Sequence, residues 1–418
     1  MKLPQIKSDE TTESGTPAKK TLWSVILTST PVILTVVATI LAALSNGELT
    51  QAHYHRALAA QNQSKATDQW TFFQFKRSRG QETKMAVDRL PVLSKTDKLE
   101  PAMLRASAVQ LVNDLQQVEK QVLSLNALVV SSKSGLGSQG DKLRQVAERL
   151  LQIIGSEVKD AQALQADLEQ KLATSQAQEA FSYLATDKLP PVKTSAIAEP
   201  RIQEALKAIE ARATEQDTAP LIGNISGDTL QHEISLAEGN VLAVEKSNKP
   251  VSGILEDLEK LIFRQSQLGW DLQRNTRRLE SALEGLPTSD ALAPLRASAV
   301  AVIHSGNSIK NKVTDLSNDF KANQYDYTVR RYDNEARHNQ KAASLYEVQI
   351  RKSSVSSESH RKRSRHFFYC MLIAQAGVTI ASFSLAVKHK SMLWGLAALA
   401  GIGAIAISGY VYLYSRAG

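Results

Sequence analysis

The chain has 418 residues, of which 6% are aromatic, with one cysteine and a formal net charge of +8. A single cysteine, Cys370, excludes a disulfide framework or a thiolate metal site, and the scarcity of aromatic and β-branched runs beside abundant Ala, Leu, Gln, Glu, Lys and Arg excludes a sheet protein. The charge is local: residues 351–366 carry Arg351, Lys352, Arg361, Lys362, Arg363 and Arg365 against Glu358 alone, so the rest of the chain is near neutral and nucleic acid is not an expected partner.

In chain order, residues 1–20 are rich in Thr, Ser, Glu and Lys, lack a periodic apolar face and predict a disordered tail. Residues 22–44 are uncharged and apolar. That length exceeds a signal-peptide core and suffices to cross the ~30 Å hydrocarbon layer, so a transmembrane helix is expected over 21–46. Gly47 offers a break, and a membrane-proximal helix is expected over 47–90, where Pro91 stops it.

A helical bundle is expected over 91–350. Its first helix, at about 101–130, shows an apolar seam at Leu104, Ala108, Leu111, Leu115, Val118, Val122, Leu125 and Val129, in steps of four and three that suit a bundle or coiled-coil interface. A Gly/Ser turn over 134–141 leads to a helix over 142–184. Pro190, Pro191, Pro200, Pro220 and Pro250 then predict short helices joined by loops over 186–253. Helical periodicity returns over 254–283, breaks at Gly285 to Pro287 and resumes over 289–349. The segment Leu104-Arg105-Ala106-Ser107-Ala108-Val109 recurs as Leu295-Arg296-Ala297-Ser298-Ala299-Val300, with the seam in register except at Gly306. A duplicated unit and a pair of antiparallel helices both fit that echo.

The serines over 353–359 predict a hinge within a basic juxtamembrane linker over 351–366. Two further apolar runs, 367–387 and 392–414, predict a transmembrane hairpin, with Trp23, Trp394, Phe367, Phe368, Tyr369, Tyr410, Tyr412 and Tyr414 marking its water boundaries and those of the first span. The expected fold is thus all-α: one N-terminal transmembrane helix, a large helical-bundle or coiled-coil domain and a C-terminal transmembrane hairpin. Small residues Gly377, Ala381, Ala397, Ala400, Gly401 and Ala404 fall at the spacing that lets membrane helices approach closely, the two hairpin helices being the expected partners. Arg361, Lys362, Arg363 and Arg365 are expected to contact anionic lipid.

Motifs that carry chemistry are few. Gly135 to Gly140 spell the G-x-G-x-x-G pattern, but a helix rather than a strand precedes it, so a flexible interhelical turn is expected. His53 and His55 stand two apart, on different faces of a helix, and are expected as solvated or interfacial rather than metal-bound. Asn224-Ile225-Ser226 fits the glycosylation acceptor, a pattern common by chance. No catalytic arrangement, cofactor or metal is expected, and the spans contain no Asp, Glu, Lys or Arg to carry an ion or proton. Near the membrane ends, Lys7, Lys19, Lys20, Lys388 and Lys390 stand on one side against Arg56, Arg351, Lys352, Arg361, Lys362, Arg363, Arg365 and Arg416 on the other, which places the large domain in the cytoplasm.

Two stretches carry a family resemblance. In the first, Gln61-Asn62-Gln63-Ser64-Lys65-Ala66-Thr67-Asp68-Gln69-Trp70 is followed by Phe73-Gln74-Phe75-Lys76, within residues 35–76. In the second, residues 332–412, a polar helix with Tyr332, Glu335 and Ala336 leads to His366-Phe367 and a hairpin with Gln375, Ala381-Ser382 and Leu393-Trp394. Together they resemble a bacterial membrane family described only as domain of unknown function 4337, with Thr67 inside the most specific run and Phe where Tyr is usual. The resemblance implies an integral inner-membrane protein in which residues of about 90–320 are a helical insertion, and it transfers no catalytic residue. The expected role is a non-enzymatic scaffold with membrane lipids and a protein partner or second copy as its contacts. A membrane sensor is the alternative, weakened by the hinge. A channel or force-coupling subunit, and an enzyme acting on lipid, have less to support them.

Overall fold

The computed structural model describes residues 22–89, 98–131, 133–197, 199–211, 213–284, 290–386 and 390–417, and every regular element among them is helical. The N-terminal tail and residues 285–289, where a break was expected, lie outside the described residues. The helices are α1 Leu22–Asp88, α2 Pro101–Ser131, α3 Lys133–Leu172, α4 Ser175–Thr186, α5 Pro200–Glu210, α6 Glu215–Gly223, α7 Gly227–Glu284, α8 Ala293–Ala386 and α9 Lys390–Ala417. Three of them contain a stretch long and apolar enough to cross a membrane: the N-terminal part of α1, the C-terminal part of α8, and α9.

The chain divides into two compact units, one of residues 1–64, 200–227 and 347–418, the other of residues 65–199 and 228–346. In the second unit, α2 and α3 form an antiparallel hairpin. α7 and α8 form another, fixed by Ser266 Oγ donating to the Val313 carbonyl at 3.3 Å and by Gln324 Nε2 donating to Glu259 at 2.9 Å. Lys312 pairs with Asp114 at 2.8 Å, and the Leu99 amide donates to Asn323 at 3.5 Å, so α8 runs antiparallel to α2 as well. Of the two readings of the Leu-Arg-Ala-Ser-Ala-Val echo, antiparallel neighbours describes the geometry. All eight seam residues of α2 are buried: those from Leu111 to Val129 share an apolar core with Leu295, Ala299, Val302, Ile309 and Val313 of α8, and Leu104 and Ala108 share another with Leu316 and Phe320, each core completed by α3 and α7.

The gap at Gly306 has a cause. A Cβ there would stand 2.9 Å from Cγ2 of Thr276, and one on Gly269 would stand 2.6 Å from Cγ2 of Val313 and 3.2 Å from the Lys310 backbone. Both glycines let α7 and α8 approach. Gly269→Leu is expected to lower stability by about 2–3 kcal/mol through overpacking. Gly239→Ala, where a Cβ meets nothing within 4 Å, should raise it by about 0.5–1 kcal/mol through helix propensity. Denaturant midpoints of the full chain in micelles check both, and equal shifts in one direction would refute the packing account.

Four expectations from the sequence are corrected. Gly47 does not separate a span from a second helix: α1 is one helix of 67 residues, and a side chain at Gly47 would meet nothing within 4 Å, so no packing demand breaks the backbone there. Gly135 to Gly140 are not a turn but lie within the first turns of α3, because the helix propagates outward from the packed turns at Leu143, Ala147 and Leu150, gaining one hydrogen bond per residue fixed. The turn with αL geometry falls instead at Asp187 (φ 55°), after α4, whose N-cap Thr174 accepts from the Ala177 amide. The loop-rich stretch ends early, since α7 runs 58 residues from Gly227 with Pro250 inside it, its buried stripe from Leu230 to Val251 outweighing the local cost of proline.

The fourth correction concerns the serines over 353–359, which form no hinge; α8 is one helix of 94 residues. Ser353 is buried, and Ser357 Oγ donates to the Ala52 carbonyl of α1 at 2.9 Å. Serine here is a small residue admitting a neighbouring helix, not a loop former.

Candidate functional site

In the first unit, α1 and α8 run antiparallel and meet through a polar ladder just outside the spans. Ser45 and Ser364 exchange hydrogen bonds, Ser45 Oγ to the Ser364 carbonyl at 3.0 Å and Ser364 Oγ to the Ser45 carbonyl at 2.9 Å. One turn further, Glu48 accepts from His360 at 2.7 Å and lies 3.8 Å from the Arg363 guanidinium, and then Ala52 meets Ser357. Positions 45, 48 and 52 against 364, 360 and 357 are one helix face against another, spaced three and four residues apart. His55 stacks on His360 with ring centroids 5.4 Å apart and planes at 15°. Burial first, then the neighbouring His360 and Lys352, hold the His55 imidazole below its usual value, so it favours the neutral form. His53, two residues away, is exposed. The sequence reading of both as solvated or interfacial named no partner for His55, which the fold supplies in His360.

The basic residues of α8 are sorted by this packing. Arg351 Nη1 donates to Thr218 Oγ1 at 3.1 Å and Lys352 Nζ donates to the Ile225 carbonyl, both on the α6 segment. Residues 200–227, expected within the bundle's loop-rich part, belong with the membrane-spanning unit for this reason. Arg363 turns to Glu48 and donates to Ser359 at 3.4 Å. Arg361, Lys362 and Arg365 stay exposed. Asn224, of the glycosylation pattern, caps α6, its Nδ2 donating to the Pro220 carbonyl at 3.1 Å.

Within the spans, the small residues pack as a three-helix contact rather than a hairpin alone. Ala381, Ala397 and Ala404 are buried, Gly377 faces the Ala397 carbonyl and Ala400, and Leu34 of α1 enters the space that Gly377 and Gly401 leave open. Trp394 donates to Thr30 of α1 at 2.9 Å. The participation of α1 could not be read from spacing in the hairpin.

The second unit holds a buried polar network that the sequence reading touched only through resemblance. Lys76 Nζ pairs with Glu245 at 2.9 Å and with Glu335, which is 5% exposed. Asn248 Nδ2 donates to Glu335 at 3.4 Å and Tyr327 OH donates to Asn248 at 3.3 Å. Arg331 lies 3.7 Å from Glu335. Burial by itself would lower the Lys76 pKa, but hydrogen bonds and charge from Glu335 and Glu245 outweigh it and hold the ammonium above its usual value. One signal was available: Asn248 interrupts the buried seam Val244, Val251, Leu255, Leu258 of α7 at a seam position, where a polar residue marks a specific buried partner. Lys76 and Glu335 come from the two resembling stretches, which thus meet here.

On the outer surface of α7, Phe263 and Trp270 are 44% and 43% exposed and meet edge to face with centroids 6.4 Å apart. Beside them lies a groove of about 310 Å³ lined by Glu259, Ile262, Phe263, Phe320 and Lys321 among others.

A family model described as Domain of unknown function (DUF4337) matches residues 23–153. It covers the first resembling stretch and runs on through α2, so residues 90–153, assigned to an insertion by the resemblance, lie within the matched region; the second stretch lies outside it. Among curated proteins and among solved structures, none matches the chain.

Proposed function

We propose that this chain, which carries the match to the domain of unknown function DUF4337 over residues 23–153, is a non-enzymatic, membrane-anchored interaction protein that binds a protein partner or a second copy through its helical bundle. The observation that supports this reading is the paired, half-exposed aromatic surface of Phe263 and Trp270 beside the groove between α7 and α8. Aromatic anchors next to a groove are the residues that carry most binding energy in helical interfaces. The charge balance around the spans supports a cytoplasmic bundle, and the family resemblance supports a bacterial inner membrane as the site of the chain. The test places the photo-crosslinking residue p-benzoylphenylalanine at position 263, in native membranes, with position 109 on α2 as the exposed control. A discrete adduct at 263 and none at 109 is expected, and no adduct at either would remove the reading.

A membrane sensor is the second reading, favoured by one observation: α8 passes from bundle residues into a span with no break at 353–359. An unbroken helix transmits axial or rotational shifts that a hinge would absorb. Inserting two glycines after Ser356 should abolish a sensing phenotype and leave crosslinking at 263 intact.

A further inference from the structure

We infer that the outward cations of α8 bind the headgroups of anionic phospholipids in the adjoining leaflet. The six cations over 351–365 are not equivalent. Arg351, Lys352 and Arg363 are used inside the first unit, on Thr218, the Ile225 carbonyl and Glu48. Arg361, Lys362 and Arg365 are exposed and form no ion pair among the described residues. Glu48, the carboxylate at this level of α1, is taken by His360 and Arg363, and α1 exposes no other acid over 43–56.

The order of residues along the outer face points to lipid rather than to a soluble polyanion. One stripe, in helical steps, reads Arg361, Arg365, Phe368, Leu372; the neighbouring stripe reads Lys362, His366, Tyr369, Ile373. Phe368, Tyr369, Leu372 and Ile373 are all exposed, whereas the preceding Phe367 is turned inward at 3%. Each stripe therefore passes from cation to aromatic to aliphatic within about 17 Å of helix, the sequence of phosphate, interface and hydrocarbon that a phospholipid presents. A polyanion in water would be served by the cations alone and would leave the apolar continuation uncovered. Guanidinium groups one turn apart suit two oxygens of a phosphodiester, and the exposed Glu358 one turn away is the opposing charge nearest in sequence.

The proposal needs only the membrane spans and is independent of the interaction partner of the bundle. Its test uses the full chain in phosphatidylcholine bilayers containing a trace of spin-labelled phosphatidylglycerol or spin-labelled phosphatidylcholine, with the motionally restricted lipid measured by electron spin resonance. The wild-type chain is expected to restrict the glycerol lipid several-fold more than the choline lipid. The triple variant Arg361→Gln, Lys362→Gln, Arg365→Gln should bring the two to parity. A charge-keeping variant, Arg361→Lys with Arg365→Lys, should retain the preference, and Arg351→Gln should leave it unchanged, since Arg351 faces Thr218. Unchanged circular dichroism of the triple variant separates lost binding from lost fold. Parity in the wild-type chain, or a preference that survives in the triple variant, would overturn the inference, and a preference abolished by inorganic phosphate would assign the site to a soluble anion instead.

Discussion

Lys76→Met is expected to destabilise the chain by about 3–5 kcal/mol, the cost of leaving a carboxylate buried without its counter-ion. Glu335 is 5% exposed, and without the ammonium its carboxylate keeps, among the described residues, the long bond from Asn248 and the approach of Arg331 at 3.7 Å. The double variant Lys76→Met with Glu335→Leu should recover most of that loss, because neither charge is then left in the interior. Glu245→Gln should cost about 1 kcal/mol or less, since that partner is 42% exposed and solvent screens it. Thermal unfolding of the three variants in micelles decides the matter: a double variant as unstable as the single one would show that the network acts through shape and not through charge pairing. Lys76 and Glu335 are 259 residues apart in sequence, so the network also fixes the register of α1 on α8 within the second unit.

Glu157→Gln is expected to have the opposite sign and a strong pH dependence. The carboxyl of Glu157 on α3 is 6% exposed, its Oε2 has no hydrogen-bond partner among the described residues, and burial, followed by the charges of Asp271 and Asp160, pushes its pKa up from 4.5 to about 8. The unfolded chain releases this proton near 4.5 while the bundle holds it. The stability that the protonated group contributes is therefore complete below pH 4.5, erodes as pH rises, and is gone above about 8. Glutamine removes the titration, so the variant should be more stable than the parent by about 4 kcal/mol at pH 8 and by little at pH 4. Denaturant midpoints measured across that range test it, and a constant difference at all pH values would mean that Glu157 titrates in the folded bundle as it does in the unfolded chain.

What the sequence could carry was local. Three uncharged apolar runs announce three membrane-crossing stretches because length and hydropathy alone determine whether a helix can span a bilayer. The steps of four and three from Leu104 to Val129 announce a buried stripe because helix periodicity alone puts those side chains on one face, and all of them are buried. Asn248, in a seam of Val and Leu, is a signal for a buried polar partner that the sequence reading did not take up, and it leaves the partner open, since that choice is made by a residue far along the chain.

Glycine and serine are where local reasoning misled. Gly47 and the serines over 353–359 have low helix propensity and read as a break and a hinge, yet propensity costs of about 0.5–1 kcal/mol per residue are small beside packing. Ser357 and Ser364 lie against α1, where their hydroxyls find partners on Ala52 and Ser45, and Ser353 is buried. The same residue types are loop formers in water and spacers between helices, and only the neighbour decides.

The sequence by itself determined that the chain is helical, that it carries three stretches able to cross a membrane, and that its positive charge lies beside the second of them. Only the tertiary structure decided that α1 and α8 are unbroken, that Lys76 meets Glu335, and which of six neighbouring cations remain exposed. Periodicity and hydropathy are summed along the chain and survive without a partner, whereas the state of a small or charged residue is set by whether another segment arrives to cover or neutralise it.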